Sequence, residues 1–326
     1  MSPLIIDPAL FRPEAISPET AAMNDAIEQL LAEAPTIMEL GAETVRERRR
    51  DGEGALAYQP PHPRASWMEA EALDRKVPVR IIQPKAEARG VYIHIHGGGH
   101  TIGAADAQDQ TLAHMADSLN MVVASVEYRL APEHPWPAAG DDCETAAMWL
   151  KEQASKLFGT DVLMIGGESA GAHLAATTMI RLRDRHGISP FKAANLVYGV
   201  YDASLSPSCK TWGDRNLIIN TPIVEWFFEQ VMPSSQFSME DRRHSEQSPL
   251  YAPVEDLCPA LFTIGTLDPL VDDTILMATK WIAAGNEAEL AIYPGGIHAF
   301  NQIPNFTLAE EANARSLAFL EKYLKA

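Results

Sequence analysis

The chain has 326 residues, a hydrophobic share of 46% and a net charge of -18. This length suits one large α/β domain or two small ones around a sizeable core. The negative charge argues against nucleic acid and anionic membrane surfaces as partners, and because no stretch holds about 18 consecutive apolar residues, no transmembrane helix is expected.

Residues 1–55 are predicted to form helices that belong to a cap. Ser17 can cap a helix that has Pro18 in its first turn. The run Arg46–Arg50 is the densest basic patch, and the carboxylates that interrupt and flank it predict a solvated helix face. The first residues lack the apolar core of a signal peptide, and three scattered cysteines are typical of a reducing compartment. We therefore expect a cytoplasmic protein.

From about residue 66, segments typical of buried strands alternate with helical segments. The predicted strands span 77–82, 91–96, 121–126, 162–165, 194–200, 260–264 and 290–293. The predicted helices span 141–157, 170–183, 273–284 and 308–324. This alternation predicts an α/β domain over 66–326, with a mostly parallel sheet that helices cover on both faces.

Residues 204–247 interrupt this alternation, because they contain several aromatic residues but no clear strand. They predict a helical insertion that folds over the strand ends and completes the cap. Its aromatic residues at 226–228 are expected to pack within the cap rather than to contact a substrate.

His96-Gly97-Gly98-Gly99 follows one of the predicted strands. Three glycines in a row destabilise regular structure, and such a loop can expose backbone N–H groups to a reacting oxygen. His94, His96 and His100 resemble a metal cluster only superficially, because no carboxylate or cysteine accompanies them at metal-binding spacing. We therefore expect no metal site.

Gly167-Glu168-Ser169-Ala170-Gly171 lies between a predicted buried strand and a predicted helix. Strand, G-x-S-x-G and helix together form the pattern of a nucleophile elbow, a turn too sharp for ordinary residues. Gly167 and Gly171 leave room for the strand and the helix to approach. Ser169 is then exposed near the positive end of a helix.

A serine nucleophile requires an acid and then a histidine later in the chain, in that order. Asp268 follows one predicted strand, and His298 follows the next. Both therefore project from the same sheet edge as Ser169, where an imidazole can take the hydroxyl proton and a carboxylate can orient the imidazole. The rivals Asp272 and Asp273 look like the start of the following helix.

These motifs together resemble the hormone-sensitive-lipase family of α/β-hydrolases, in its bacterial carboxylesterase branch. The resemblance runs from about residue 75 to the C-terminus. It rests on five segments: His96–Gly99, Tyr128–Ala138, Gly167–Gly171, Ser248–Leu250 and Asp268–Leu270.

The resemblance implies the α/β-hydrolase fold, with an eight-stranded core and a helical cap. It implies an oxyanion hole formed by the N–H groups of Gly98, Gly99 and Ala170. It also implies cleavage of small-molecule carboxylic esters, with short to medium acyl chains, through an acyl-enzyme. No metal or organic cofactor is expected. The resemblance also implies a homodimer that forms through a sheet edge.

Three residues depart from the family pattern, and one of them, Val271 in place of an arginine, only removes a surface ion pair. Glu168 stands where Asp is usual, and we expect it to tie the elbow to neighbouring loops. His100 stands where a large apolar residue is usual, so it either lines the substrate pocket or packs in the interior.

Three alternatives concern function. An amidase or deacetylase would use the same residues on a different substrate, and a long-chain lipase fits the acidic composition less well. A small-molecule receptor is the third alternative. Receptors that resemble this family lack the catalytic histidine, so the presence of His298 disfavours this alternative.

Overall fold

An eight-stranded sheet forms the centre of the molecule. The structure is a computed structural model, and it describes residues 5–54, 56 and 58–325. The strands are β1 (Ala65–Ala72), β2 (Arg75–Ile82), β3 (Gly90–Ile95), β4 (Met121–Val126), β5 (Leu163–Glu168), β6 (Phe191–Val197), β7 (Ala260–Leu267) and β8 (Ala288–Ile297). Their order in the sheet is β1-β2-β4-β3-β5-β6-β7-β8. β1 is antiparallel to β2 and β2 to β4, whereas all other neighbours are parallel, so the predicted α/β fold is confirmed.

All seven predicted strands are present, but the sequence does not predict β1. Ala70 is the only buried residue of β1. The strand therefore lacks the run of buried apolar side chains by which a strand is recognised in a sequence. Its pairing along the whole of β2 creates the strand instead. At the opposite edge, β8 extends through Pro294-Gly295-Gly296, which an edge strand tolerates because it lacks a second partner.

Helices cover both faces of the sheet. They are α1 (Pro18–Glu33), α2 (Ile37–Leu40), α3 (Ala42–Arg50), α4 (Asp109–Leu119), α5 (Ala138–Phe158), α6 (Ala170–His186), α7 (Pro207–Trp212), α8 (Thr221–Val231), α9 (Met239–Arg242), α10 (Val271–Ala283) and α11 (Thr307–Leu324). Side chains of β2 alternate between the two cores, since Val79 and Ile81 belong to the apolar cluster on the face covered by α5, whereas Ile82 belongs to the cluster on the face covered by α4.

Two separate parts of the chain lie above the carboxyl ends of the strands. Of the predicted cap segment 1–55, residues 1–4 and 55 lie outside the described residues, and the rest contains α1, α2 and α3. Residues 204–247 contain α7, α8 and α9, and α7 and α8 contribute to a small apolar cluster that also includes Val200 and Leu270. The division into a cap and a catalytic domain remains a prediction.

The first and last parts of the fold are in direct contact. The Asn24 side chain in α1 donates a hydrogen bond to the Gly295 carbonyl in β8 at 2.8 Å.

In the described part of the chain, the helices are either too short or too polar to span a membrane.

Candidate active site

Ser169 occupies a sharp turn between β5 and α6, as the elbow motif predicts. Its backbone has φ 56° and ψ -120°, a region that residues with side chains rarely adopt and that costs about 1–3 kcal/mol. Two hydrogen bonds hold this conformation. The Ser169 N–H donates to the Val197 carbonyl at 2.9 Å, and the His173 N–H donates to the Ser169 carbonyl at 3.1 Å.

The two glycines of the motif are required because β3 passes very close to the elbow. A Cβ on Gly167 would lie 2.1 Å from the Ile95 carbonyl oxygen, and a Cβ on Gly171 would lie 1.9 Å from the same atom. Larger residues would push the end of β3 away from Ser169. Because β3 leads directly into the glycine loop, both glycines also fix the distance between that loop and Ser169.

His298 joins Ser169 to Asp268. Its Nε2 lies 2.9 Å from the Ser169 Oγ, and its Nδ1 lies 2.8 Å from Oδ2 of Asp268. Asp268 is fully buried, and its other oxygen accepts the Leu270 N–H at 2.9 Å. Since a carboxylate only accepts, Nδ1 of His298 carries the proton, and Nε2 is left to accept the serine hydroxyl.

The two rival carboxylates have other partners. Asp272 accepts the Ser208 N–H at 2.8 Å, and Asp273 accepts the N–H groups of Tyr201 and Asp202. Burial raises the pKa of Asp273 to about 7. Both residues belong to the first turn of α10, as the sequence indicates.

The glycine loop packs against the elbow. A Cβ on Gly97 would lie 2.8 Å from the Glu168 carbonyl oxygen, so the two backbones are nearly in contact. Gly98 and Gly99 both have positive φ, 116° and 58°, and the Gly98 carbonyl accepts two N–H groups from the following turn. The N–H groups of Gly98, Gly99 and Ala170 donate no hydrogen bond to any other residue that the structure describes. They are free to bind an oxygen atom.

A cavity of about 540 Å³ opens at Ser169, which is a suitable size for a small molecule. Both parts of the chain above the strand ends wall it, through Leu31 and Ile37 on one side and Ile223 on the other. Phe227 also lines the cavity and lies directly over Gly99, since a Cβ there would be 2.2 Å from its ring. The prediction that residues 226–228 pack only within the cap is therefore wrong for Phe227, although it holds for Phe228.

Three arginines of α3 line the same cavity. Arg46, Arg49 and Arg50 are spaced i, i+3 and i+4, which places them on one face of the helix. The predicted solvated face therefore holds for Arg50, which is exposed, whereas Arg46 and Arg49 are half-buried against the cavity. Arg48, on another side, pairs with Glu53 at the surface. The spacing was visible in the sequence, but nothing there indicated which face would meet the cavity.

Glu168 belongs to a buried polar network beneath the elbow. Its Oε2 lies 3.1 Å from Nε2 of His94, and Nδ1 of His94 lies 2.8 Å from Oγ of Ser125. The network links the residue before Ser169 to β3 and β4. These contacts support the expectation that Glu168 ties the elbow to its neighbours.

His100 lies away from the cavity at Ser169. It is 6% exposed, its Nε2 lies 3.0 Å from Nδ1 of His173, and it borders a separate cavity of about 30 Å³. Burial lowers the pKa values of both histidines, that of His173 to about 4. Of the two expectations for His100, these contacts favour packing in the interior, since His100 does not line the cavity at Ser169.

His96 packs against an aromatic ring and contacts the backbone of the glycine loop. Its ring stacks on Tyr128, with 4.1 Å between centroids, and its Nδ1 lies 2.9 Å from the Gly97 carbonyl oxygen. The Tyr128 hydroxyl donates to the His96 carbonyl at 2.8 Å. These contacts fix the backbone just before the glycine loop.

Comparison with known proteins identifies the family. A family model described as alpha/beta hydrolase fold matches residues 92–302. An ethyl acetate hydrolase of Pseudomonas putida is 32% identical over 247 residues, which cover 73% of this chain and 74% of that protein. A carboxylesterase of Mycobacterium tuberculosis is 32% identical over 257 residues, which cover 77% of this chain and 79% of that protein.

Solved structures agree with the sequence matches. An esterase of Pyrobaculum calidifontis superposes with a TM-score of 0.83 at 29% identity, covering 95% of this chain and all of that chain. The chain belongs to the hormone-sensitive-lipase family of α/β-hydrolases, as its motifs predict.

Proposed function

We propose that this protein is a serine carboxylesterase that hydrolyses small-molecule esters with short to medium acyl chains. The observation that carries the proposal is the pair of hydrogen bonds that joins Ser169, His298 and Asp268 at the mouth of a substrate-sized cavity. The esterase relatives support the same reaction class.

In this mechanism, Ser169 attacks the ester carbonyl while Nε2 of His298 takes its proton. Asp268 keeps the other ring nitrogen protonated and stabilises the imidazolium that forms. His298 then donates the proton to the leaving alcohol, which departs and leaves an acyl group on Ser169. Water, activated by the same histidine, attacks that acyl group and releases the carboxylic acid.

The oxyanion of each tetrahedral intermediate would bind to the N–H groups of Gly98, Gly99 and Ala170. Two observations support this role: these donors are unpaired in the described structure, and the glycine loop packs against the elbow. Fixed donors of this kind stabilise the transition state without having to reorient during the reaction.

A panel of chromogenic esters from acetyl to dodecanoyl tests the proposal, together with the matching anilides as amidase substrates. We expect turnover of the shorter esters and a loss of at least about 10⁴-fold in Ser169→Ala and in His298→Asn, the latter at every pH. Thermal unfolding of each variant checks that it folds. Ester turnover that survives in Ser169→Ala would exclude the proposed nucleophile, and faster turnover of anilides would favour the amidase.

Two further expectations belong with this proposal. The family resemblance predicts a homodimer through a sheet edge, which here means β1 or β8. Light scattering of the purified protein tests the dimer. The cytoplasmic location predicted from the sequence is tested by fractionating the cells that produce the protein.

A further inference from the structure

The cavity at Ser169 has a charge opposite to that of the whole protein. The chain carries a net charge of -18. Among the cavity's lining residues in the described part of the chain, there are three arginines and one carboxylate. That carboxylate, Glu168, already pairs with His94. The cavity therefore presents positive charge to whatever enters it.

Of the three cavity arginines, Arg49 and Arg50 form no ion pair with any described residue, and Arg49 is the less exposed of the two. Arg46 pairs with Glu133 at 2.9 Å, and Arg48 pairs with Glu53. The Nε of Arg49 donates to the Leu56 carbonyl at 3.2 Å, but its guanidinium forms no ion pair with any carboxylate among the described residues. Arg49 lines the cavity that contains Ser169, and its other guanidinium N–H groups donate to no described residue.

The position of Arg49 makes this missing partner costly. Burial lowers the pKa of Arg49, yet an arginine side chain stays protonated in proteins. The Arg49 side chain is half-buried, and a charge that is partly removed from water without a counter-ion is unfavourable. The pKa of His96 is about 3, mainly because of burial, and the charge of Arg49 contributes to its lowering. Arg49 and the glycine loop line the same cavity.

We propose that Arg49 binds a carboxylate of the substrate, so that the preferred substrates are esters that carry a free carboxylate on the acyl or the alcohol half. The planar guanidinium can donate two parallel hydrogen bonds to a carboxylate, and a bound carboxylate supplies the counter-ion that the protein lacks. This inference rests on the proposed esterase function and specifies its substrate class.

Two pairs of esters test the proposal, each matched in size. On the acyl side, mono-4-nitrophenyl glutarate is compared with 4-nitrophenyl pentanoate. On the alcohol side, 4-acetoxybenzoate is compared with its methyl ester. The net charge of the protein should repel the anionic member of each pair, so a higher kcat/KM for that member points to a local cation. We expect such a preference in at least one pair.

Arg49→Gln is expected to reduce that preference, measured as the ratio of the two kcat/KM values, by about 10- to 100-fold. Arg49→Lys keeps the charge but loses the planar fork, so it should retain part of the preference. Arg48→Gln is the matched control, because Arg48 lies on the same helix and pairs with Glu53 at the surface. It should leave the ratio unchanged.

The outcomes distinguish a failure of the proposed role of Arg49 from a failure of the proposed esterase function. If the wild-type protein hydrolyses neutral esters but shows no preference for the anionic member of either pair, the role of Arg49 is excluded while the esterase function stands. An unchanged ratio in Arg49→Gln excludes it too. If no ester is hydrolysed, the proposed function itself is wrong. Should Arg49→Gln fail to fold, added salt must reduce the wild-type preference, or the inference is overturned.

Discussion

Replacing Gly99 with alanine tests whether Phe227 fixes the position of the glycine loop. Gly99 has φ 58°, where alanine costs about 1–2 kcal/mol of conformational free energy. The new Cβ would also lie 2.2 Å from two ring atoms of Phe227. Carbon atoms prefer a separation of about 3.5–4.0 Å, so the loop and the ring must move apart by more than about 1 Å.

A shift of that size would displace the N–H groups of Gly98 and Gly99 from the oxygen that they are proposed to bind. Loss of one oxyanion donor typically costs about 10²- to 10³-fold in kcat. We therefore expect kcat of Gly99→Ala to fall about 100-fold or more, with KM changed much less. Steady-state kinetics with a short-chain chromogenic ester measure both constants, and thermal unfolding shows whether the variant folds.

The double variant Gly99→Ala/Phe227→Ala separates steric overlap from backbone strain. Removing the ring relieves the overlap but leaves the positive φ, so kcat should recover at least about tenfold relative to Gly99→Ala. Phe227→Ala alone completes the double-mutant cycle. Normal kcat in Gly99→Ala, or no recovery in the double variant, would refute the reasoning that the ring sets the position of the loop.

Two further predictions concern stability. Glu168→Ala should lower the free energy of unfolding by about 1–3 kcal/mol, because the buried His94 loses its Nε2 partner; urea denaturation measures the change, and an unaltered value would contradict the structural role of Glu168. Burial lowers the pKa of His173 from 6.5 to about 4, so the unfolded chain binds this proton first and stability should decline as the pH falls from about 6.5 towards 4. His173→Gln should show a weaker dependence of unfolding free energy on pH than the wild-type protein, and equal slopes would refute this.

The sequence predicts best those elements that a short continuous segment is enough to identify. Ser169, Asp268 and His298 each follow a segment that reads as a buried strand, and parallel strands bring their carboxyl ends to one edge of the sheet. The structure places their side chains within hydrogen-bonding distance in the order that the motifs indicate. β1 lacks such a signal, because its formation depends on pairing with β2.

The local sequence pattern does not predict which side chains face the cavity. Arg49 and Arg48 are neighbours in the same charged run, and only the packing of α3 against the rest of the fold turns one to the cavity and the other to solvent. His100 follows the glycine loop directly, yet the turn at that residue leads it to His173 instead of the substrate. Both outcomes depend on contacts between segments far apart in the sequence.

The hydrogen bond from Asn24 to Gly295 joins positions 271 residues apart, which has a consequence for biosynthesis. The ribosome synthesises α1 long before β8. Leu31, which lies in α1 and helps to wall the cavity, therefore emerges long before the strand that holds its helix in place. The nascent chain can complete its substrate chamber only after β8 has left the exit tunnel.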